Sequence, residues 1–228
     1  MRKLMDKFKL YSIETTYSFD VLFSKIVESS SSLDSSYEIH PLKNRANTLA
    51  FKFIEKKILE TSLLDKDGIE QLIQYLHIDN FEFYIEKKFN KFFLVLKNPP
   101  RSLKFFKQTI ADILDYKISI SDIKIEPLQW VKNIEPNYES EFSVISIEIK
   151  DVIYNSKTHG SLTLKSQVDL RSGYEQIICS TNYKVSKVLI SNNNYFKGKF
   201  ILSQDASFQL DCMNSNVLIN LLLDNIPA

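Results

Sequence analysis

Two periods of hydrophobic and polar residues run along the chain, and each predicts a different kind of element. Within residues 17–28 the apolar positions recur every three or four residues, as Phe19, Leu22 and Phe23 show, which predicts an amphipathic helix. Residues 8–14, 37–42 and 48–55 are rich in β-formers or alternate apolar with polar, which predicts strands. The serine-rich run 29–36 predicts a loop.

Two more helices are predicted before residue 115. Asp67 is placed to cap a helix that ends near His77, with apolar residues Ile69, Leu72, Ile73 and Leu76 on one stripe. Ser102 is placed to cap a later helix whose stripe begins with Phe105 and Phe106. Between the two helices, residues 81–86 and 91–97 predict strands joined by a tight turn at residues 89–90. The double proline at residues 99–100 ends that ladder.

The second part of the chain has the rhythm of an antiparallel meander. Residues 117–131 are predicted to form a strand. Residues 134–137 are the best candidate boundary, because the composition changes after them. Further strands are predicted over 141–154, 160–170, 174–190 and 195–203. The presumptive turns include His159-Gly160, and residues 214–223 predict a closing helix. The strand near residues 195–202 is expected to be an edge protected only by Lys197 and Lys199.

These elements predict an α+β fold in two parts. Residues 1–136 are expected to form an α/β sandwich-like part, with about three helices on a mixed or antiparallel sheet. Residues 137–228 are expected to form a β-rich antiparallel sheet or small barrel, as a separate domain or as a subdomain that shares one core with the first part.

Composition narrows the function classes. Hydrophobic residues make up 44% and charged residues 25%, which is typical of a globular protein, and the four glycines argue against Gly-rich nucleotide loops. The net charge of +1 gives no whole-protein field to steer nucleic acid. No signal peptide or membrane-spanning run is evident, and Cys179 and Cys212 sit in apolar runs as structural thiols. The expectation is a cytoplasmic protein with no membrane partner and no cofactor.

The least ordinary feature is a basic segment between residues 87 and 107. It has seven basic residues and no acidic one, interleaved with phenylalanine: Lys87, Lys88, Lys91, Lys97, Arg101, Lys104 and Lys107. A helix N-terminus and Arg101 suit phosphate, and exposed rings suit base stacking, so the segment predicts a nucleic-acid-binding surface. The alternative is that the phenylalanines are core and the lysines a solvated face.

A second pattern suggests metal chemistry. Glu148 and Lys150 on a predicted strand resemble two letters of the motif of restriction-endonuclease-like nucleases, in which the carboxylate binds a metal ion and the lysine stabilises the nucleophile. That family also has an upstream acid, for which Asp122 or Glu135 is available, and usually a following helix, which is not predicted here. Alternation on a half-exposed strand is the more ordinary explanation of the pair.

The remaining candidates are ordinary. His40, His77 and His159 lack ligand-like spacing, so no metal site is predicted. Trp130 either anchors a partner or packs inside its own fold, and the second is favoured.

The function predicted from the sequence is non-enzymatic. The protein is expected to be an accessory protein that contacts nucleic acid through the basic segment, and a protein partner or a second copy through its β-rich half. Two alternatives stay open: a metal-dependent nuclease that uses Glu148 and Lys150, and a structural assembly protein without nucleic-acid contact.

Overall fold

The structure is a computed structural model that describes residues 5–29, 36–64, 66, 68, 70–88, 90–138, 142–155, 158–178 and 183–227. The chain divides into two compact units, one within residues 11–121 and one that joins residues up to 10 with those from 122 onward. The predicted division at residue 136 concerns separable domains and stays a prediction. The serine-rich segment 30–35 lies outside the described residues.

The elements follow in chain order. Those that begin before residue 122 are β1 (Asp6–Thr15), α1 (Phe19–Glu28), β2 (Tyr37–Pro41), β3 (Thr48–Leu64), β4 (Glu70–Lys88), β5 (Lys91–Lys97), α2 (Lys104–Ile113) and β6 (Ile118–Asp122). Then come α3 (Pro127–Ile134), a 3₁₀ turn (Glu135–Asn137), β7 (Phe142–Asn155), β8 (Thr158–Lys165), α4 (Tyr174–Ile177), β9 (Lys184–Asn192), β10 (Gly198–Ser203), β11 (Ser207–Cys212) and α5 (Ser215–Asp224).

The predicted fold class is wrong. Instead of an α/β sandwich-like part followed by a sheet or barrel, the chain is mostly open antiparallel sheet, with 52% strand and 22% helix. Eleven strands and five short helices lie in the part that the structure describes. The main reason is that β3 and β4 are far longer than their sequence pattern indicates, because each supplies the other's hydrogen-bonding partners.

Within the unit of residues 11–121, the strands follow the order β2-β3-β4-β5-β1, and β6 also pairs with β1. Apolar residues of α1 and α2 share one core with these strands, among them Leu22, Ile26 and Phe106. Ser18 caps α1 by accepting a hydrogen bond from the Val21 amide. The predicted cap Ser102 is wrong: α2 begins after Leu103, without a side-chain cap.

Within the other unit, the order is β1-β11-β10-β9-β7-β8. Strand β10 is hydrogen-bonded on both sides, with Phe200 opposite Ile190 of β9 and Leu210 of β11. The expectation of an exposed edge near residues 195–202 is therefore wrong, because β11 covers it. The predicted turn at His159-Gly160 is also wrong, since both residues lie inside β8.

Residues 117–131 are only partly strand. Strand β6 ends at Asp122, and α3 then starts because Glu126 accepts hydrogen bonds from the amides of Leu128 and Gln129 while Pro127 fits the first helical position. This helix holds the fully buried Trp130, whose Nε1 donates to the Leu222 carbonyl of α5 at 3.0 Å. The prediction that Trp130 packs inside its own fold is confirmed, as is the closing helix.

The predicted helix over residues 67–77 is wrong. Residues from Glu70 onward form β4, which pairs with β3 through 17 consecutive residue pairs, from Thr48 opposite Glu86 to Leu64 opposite Glu70. The proposed cap Asp67 and the first apolar position Ile69 lie outside the described residues. Tertiary pairing has overridden a helix-like spacing of apolar residues, as often happens with β-structure.

Candidate functional site

The end of the β3–β4 hairpin is a two-stranded ribbon. Strand β2 pairs with β3 only as far as Glu55, and β5 pairs with β4 only from Glu82 onward. Among the described residues, no further strand pairs with 57–64 or 70–80, which we call the distal hairpin. Its eight residue pairs, 57–64 opposite 70–77, span about 23 Å at the usual rise of a strand.

The distal hairpin exposes large apolar side chains. Eight of the seventeen exposed large hydrophobic residues in the described chain lie here: Ile58, Leu63, Leu64, Leu72, Ile73, Tyr75, Leu76 and Ile78. Ile58 and Leu64 are each 73% exposed. Single exposed apolar residues are ordinary, but a contiguous group of this size marks an interaction surface.

Both faces of the ribbon are apolar. Residues directly opposite each other in an antiparallel pair point to the same face, so Ile58 and Leu76 share one face. Leu59 and Tyr75, one residue further along each strand, share the other. Sequence reasoning missed this surface, because apolar residues on both faces erase the alternation that identifies a strand.

Two backbone hydrogen bonds show which residues of β3 point their N–H and C=O groups away from β4. The Lys56 amide donates to the Ser36 carbonyl at 2.8 Å, and the Ala50 carbonyl accepts from the Leu42 amide at 2.7 Å, so even-numbered residues of β3 point their backbone groups away from β4. By the same alternation, Ile58, Glu60, Ser62 and Leu64 present N–H and C=O groups along the edge of the distal hairpin.

An ionic network marks the base of the distal hairpin. The Lys57 Nζ lies 2.9 Å from a carboxylate oxygen of the buried Glu55 and 3.3 Å from one of Asp79. The Nε2 of His77 lies 3.2 Å from the other Asp79 oxygen. Burial alone would raise the pKa of Asp79, but the hydrogen bonds from Lys57 and His77 outweigh it and hold that pKa below its usual value.

This network predicts acid sensitivity. Because the folded pKa of Asp79 is depressed, its contribution to stability is present above the unfolded pKa of about 3.9 and is lost as pH falls through the folded pKa. Asp79→Asn should therefore flatten the loss of unfolding free energy between about pH 5 and the acid limit. Urea titrations of wild type and variant at several pH values check this, and equal slopes would contradict it.

The seven basic residues do not form one patch. Lys87, Lys88 and Lys91 surround the turn between β4 and β5, whereas Lys97 ends β5, about 20 Å away along the strand. Lys97 is also neutralised, since its Nζ lies 3.3 Å from the Glu82 carboxylate in the opposite strand.

The rest of the basic segment surrounds the start of α2. Arg101 and Lys104 are exposed there, and the first helical turn has neither an acidic residue nor a side-chain cap. Lys107 lies further along, with its Nζ 4.1 Å from the centre of the Tyr11 ring. That cation–π contact fixes Lys107 on its own fold.

The phenylalanines of this segment serve mainly the core. Phe106 is buried, and Phe105 packs against Phe53 and Tyr37. Phe92 stacks on Phe19, with ring centres 6.0 Å apart. Phe89 lies outside the described residues. Of the five rings in the base-stacking hypothesis, three thus pack within the fold, and Phe93 is half-buried.

The Glu148 and Lys150 pair lies on β7 as predicted, and the proposed acid Asp122 is the last residue of β6. Glu148 lies 3.3 Å from the Lys187 Nζ, and Glu135 pairs with Arg171. In the described part of the chain, no group of three or more acidic, histidine or cysteine side chains is placed to hold a metal ion. Strand β7 continues past Lys150 to Asn155, where the nuclease family has a helix.

His40 and His77 each contact a nearby carboxylate, His159 is exposed on β8, and the Cys212 thiol is partly buried. His40 Nε2 lies 2.9 Å from a Glu38 carboxylate oxygen, and burial raises the pKa of the Cys212 thiol to about 11. Cys179 lies outside the described residues. Of the helices that the structure describes, none has the length and apolar character needed to cross a bilayer.

Comparison with known proteins does not assign the chain to a family. No family model matches the sequence, and no curated protein resembles it significantly.

Proposed function

We propose that this protein acts by binding other protein chains, with the distal hairpin as the contact. The observation that carries the proposal is an apolar ribbon along whose outer edge no other strand of the described chain pairs, a combination that pairs readily with another strand. The sequence analysis placed the protein contact in the β-rich half, whereas the exposed apolar surface favours the distal hairpin.

The side chains support binding more than catalysis. Lys57 and Asp79 pair with each other at the base of the hairpin. Among the other residues of the distal hairpin only Glu60 and Glu70 carry a formal charge, and the sequence between its two strands adds Asp65, Lys66 and Asp67. Affinity would come from apolar burial and main-chain hydrogen bonds, as in strand addition. The proposed role is therefore that of an assembly or adaptor protein.

Polar substitution of the hairpin tests this proposal. Replacing Ile58, Leu64, Leu72 and Leu76 by serine should release the protein from its complexes, because the buried apolar area is lost while the backbone pairing of β3 and β4 stays. The measurement is the elution size of tagged protein in extracts of its native cell. Wild type should elute well above 26.6 kDa, and the variant at its monomer size.

A matched control uses exposed apolar residues outside the hairpin. Serine at Tyr116, Val168 and Met213 should leave the complex unchanged, since these residues are equally exposed but lie elsewhere. Retention of the large complex by the hairpin variant would contradict the proposal, as would elution of wild type as a monomer.

We propose nucleic-acid contact as a second, smaller function, restricted to the start of α2. The observation that favours it is the uncapped, acid-free first turn beside the exposed Arg101 and Lys104, a geometry that suits a phosphate group. Specific base recognition is not part of this proposal.

Charge reversal distinguishes a contact at the start of α2 from nonspecific attraction of nucleic acid to basic residues elsewhere. Arg101→Glu with Lys104→Glu should weaken binding to a DNA or RNA oligonucleotide by about tenfold or more at low salt and reduce its salt dependence. Lys97→Gln is the control and should change little, because Glu82 already neutralises Lys97. Electrophoretic shifts over a salt series measure both, and equal affinity of all three proteins would reject the contact.

A further inference from the structure

We infer that the partner of the distal hairpin is a second copy of this chain. In this dimer two β3 strands pair antiparallel along residues 58–64, about a two-fold axis at Thr61. The inference rests on the proposed function of the distal hairpin and names its partner. Three properties of β3 carry it: an edge with which no other described strand pairs, the direction of its backbone groups and the match of its side chains.

The backbone groups meet correctly in this register. Residues 58, 60, 62 and 64 point their N–H and C=O groups outward, as the contacts of Lys56 and Ala50 establish. A two-fold axis at Thr61 places Ile58 opposite Leu64 of the second copy and Glu60 opposite Ser62 of the second copy. All four are outward-pointing residues, so the ladder gains about eight hydrogen bonds without disturbing β4.

The side chains also match in this register. On one face Ile58 lies beside Leu64 of the second copy, and on the other Leu59 lies beside Leu63 of the second copy. The polar residues Glu60 and Ser62 face each other, and Thr61 meets its own copy. Every directly opposed pair is then apolar with apolar or polar with polar, which is the pattern that stabilises cross-strand contacts.

Neighbouring registers are worse. An axis at Glu60 opposes two Glu60 carboxylates and sets Lys57 against Leu63, whereas an axis at Ser62 sets Glu60 against Leu64. Like charges directly opposite each other are destabilising. A one-residue shift of the axis therefore breaks the match on the face that holds Ile58.

The edge of β4 also has a matched register. An axis at Tyr75 sets Gln74 against Leu76 and Ile73 against His77, which mixes polar with apolar residues, but an axis at Gln74 sets Leu72 against Leu76 and Ile73 against Tyr75. The disulfide at position 61 therefore decides between the two edges. Pairing of β3 about an axis at Thr61 is a self-complementary contact between two chains. Such an isologous contact closes as a dimer and does not extend into a fibre.

A cysteine at the axis tests the register. In a non-hydrogen-bonded antiparallel pair the two Cα atoms are about 4.5 Å apart, which lies in the range of a disulfide. Thr61→Cys should therefore form a covalent dimer under mild oxidation. Ser62→Cys is the matched control, because the two copies of residue 62 are offset by two rungs and lie about 8 Å apart, too far for a disulfide.

The expected yield of covalent dimer is at least about tenfold higher for Thr61→Cys than for Ser62→Cys, since only the first satisfies disulfide geometry. Cys179 and Cys212 are common to both variants, so their background is equal. Equal yields would overturn the register. Peptide mapping of the crosslinked band identifies whether the disulfide joins the two thiols introduced at position 61.

A proline tests the edge itself. The Ser62 amide points away from β4, so Ser62→Pro removes an outward donor without removing a hydrogen bond inside the hairpin. Wild type should have twice the monomer mass of 26.6 kDa by light scattering, Ser62→Pro should be monomeric, and Ser62→Ala should remain dimeric. An unchanged circular dichroism spectrum shows that the variant is folded.

The outcomes separate this inference from the function on which it rests. A purified wild type that is monomeric at its highest soluble concentration, but enters a hairpin-dependent complex in cell extract, overturns the second copy and leaves protein binding in place. A wild type that is monomeric in both overturns both.

Discussion

Replacing Gly198 by alanine should lower the free energy of unfolding by roughly 3 kcal/mol or more, through backbone strain and overpacking. Gly198 has φ of +139° at the start of β10, a conformation that side-chain-bearing residues rarely adopt. An added Cβ would lie 2.3 Å from the Asp211 carbonyl oxygen and 2.6 Å from the Cys212 Cα. Both contacts are with the backbone of β11, so no side-chain rotation relieves them.

Gly173→Ala is the matched control for this effect. An added Cβ at Gly173 meets no atom within 4 Å, and φ there is −146°, which any residue adopts. Its unfolding free energy should stay within about 0.5 kcal/mol of wild type. Urea denaturation of the three proteins measures the difference, and equal midpoints for Gly198→Ala and wild type would show that β10 and β11 are not as close as described.

Phe106→Ala should cost about 3–5 kcal/mol of unfolding free energy, the usual range for removing a buried aromatic ring. Phe106 is 2% exposed, and its ring centre lies 5.1 Å from those of Phe53, Phe81 and Phe83. The alanine would leave a cavity in the face that α2 covers, and stiff strands cannot close around it.

Phe105→Ala provides the comparison. Phe105 is the same residue type at the neighbouring position, but it is only partly buried and contacts Tyr37 and Phe53 from further away, at 6.3 and 6.4 Å. Its loss should be less than half that of Phe106→Ala by its smaller burial. If the two variants lost equal stability, or if Phe105→Ala lost more, the orientation of α2 on the sheet would be wrong.

Elements with one buried face were predictable from the sequence. The helical spacing from Phe19 to Val27 identified α1, and that from Phe105 to Leu114 identified α2, since each places a single apolar stripe on the core. The strand from Lys91 to Lys97 was predictable for another reason, as a short continuous apolar run between two lysines, and Leu94, Val95 and Leu96 are all buried. Periodicity records which side of an element is buried, so it identifies elements with one inner and one outer face.

The distal hairpin has no inner face, and the sequence pattern failed there. Leu72, Ile73 and Leu76 have the spacing of a helical stripe, although in the structure they occupy two faces of a ribbon. The information that makes them strand lies earlier in the chain, in the partner residues of β3. Local spacing does not contain that pairing.

The arrangement of the candidate site residues could not be predicted for the same reason, because it depends on which strands pair. Charge counting grouped Lys87 to Lys107 along the chain, but β5 separates the group, and Glu82 neutralises Lys97 from the opposite strand. The pair of Glu148 and Lys150 was placed on a strand as predicted, yet the ionic partner of Glu148 is Lys187, which only the pairing of β7 with β9 reveals.

Hydrogen exchange along β3 tests the central claim, that the edge of the distal hairpin is covered by another chain. The odd-numbered amides of residues 59, 61 and 63 point to β4 and should be protected at every protein concentration. The even-numbered amides of 58, 60, 62 and 64 should exchange fast in dilute protein and become protected as the concentration rises. Even-numbered amides that stay unprotected at high concentration, and also in the presence of native cell extract, would contradict the claim.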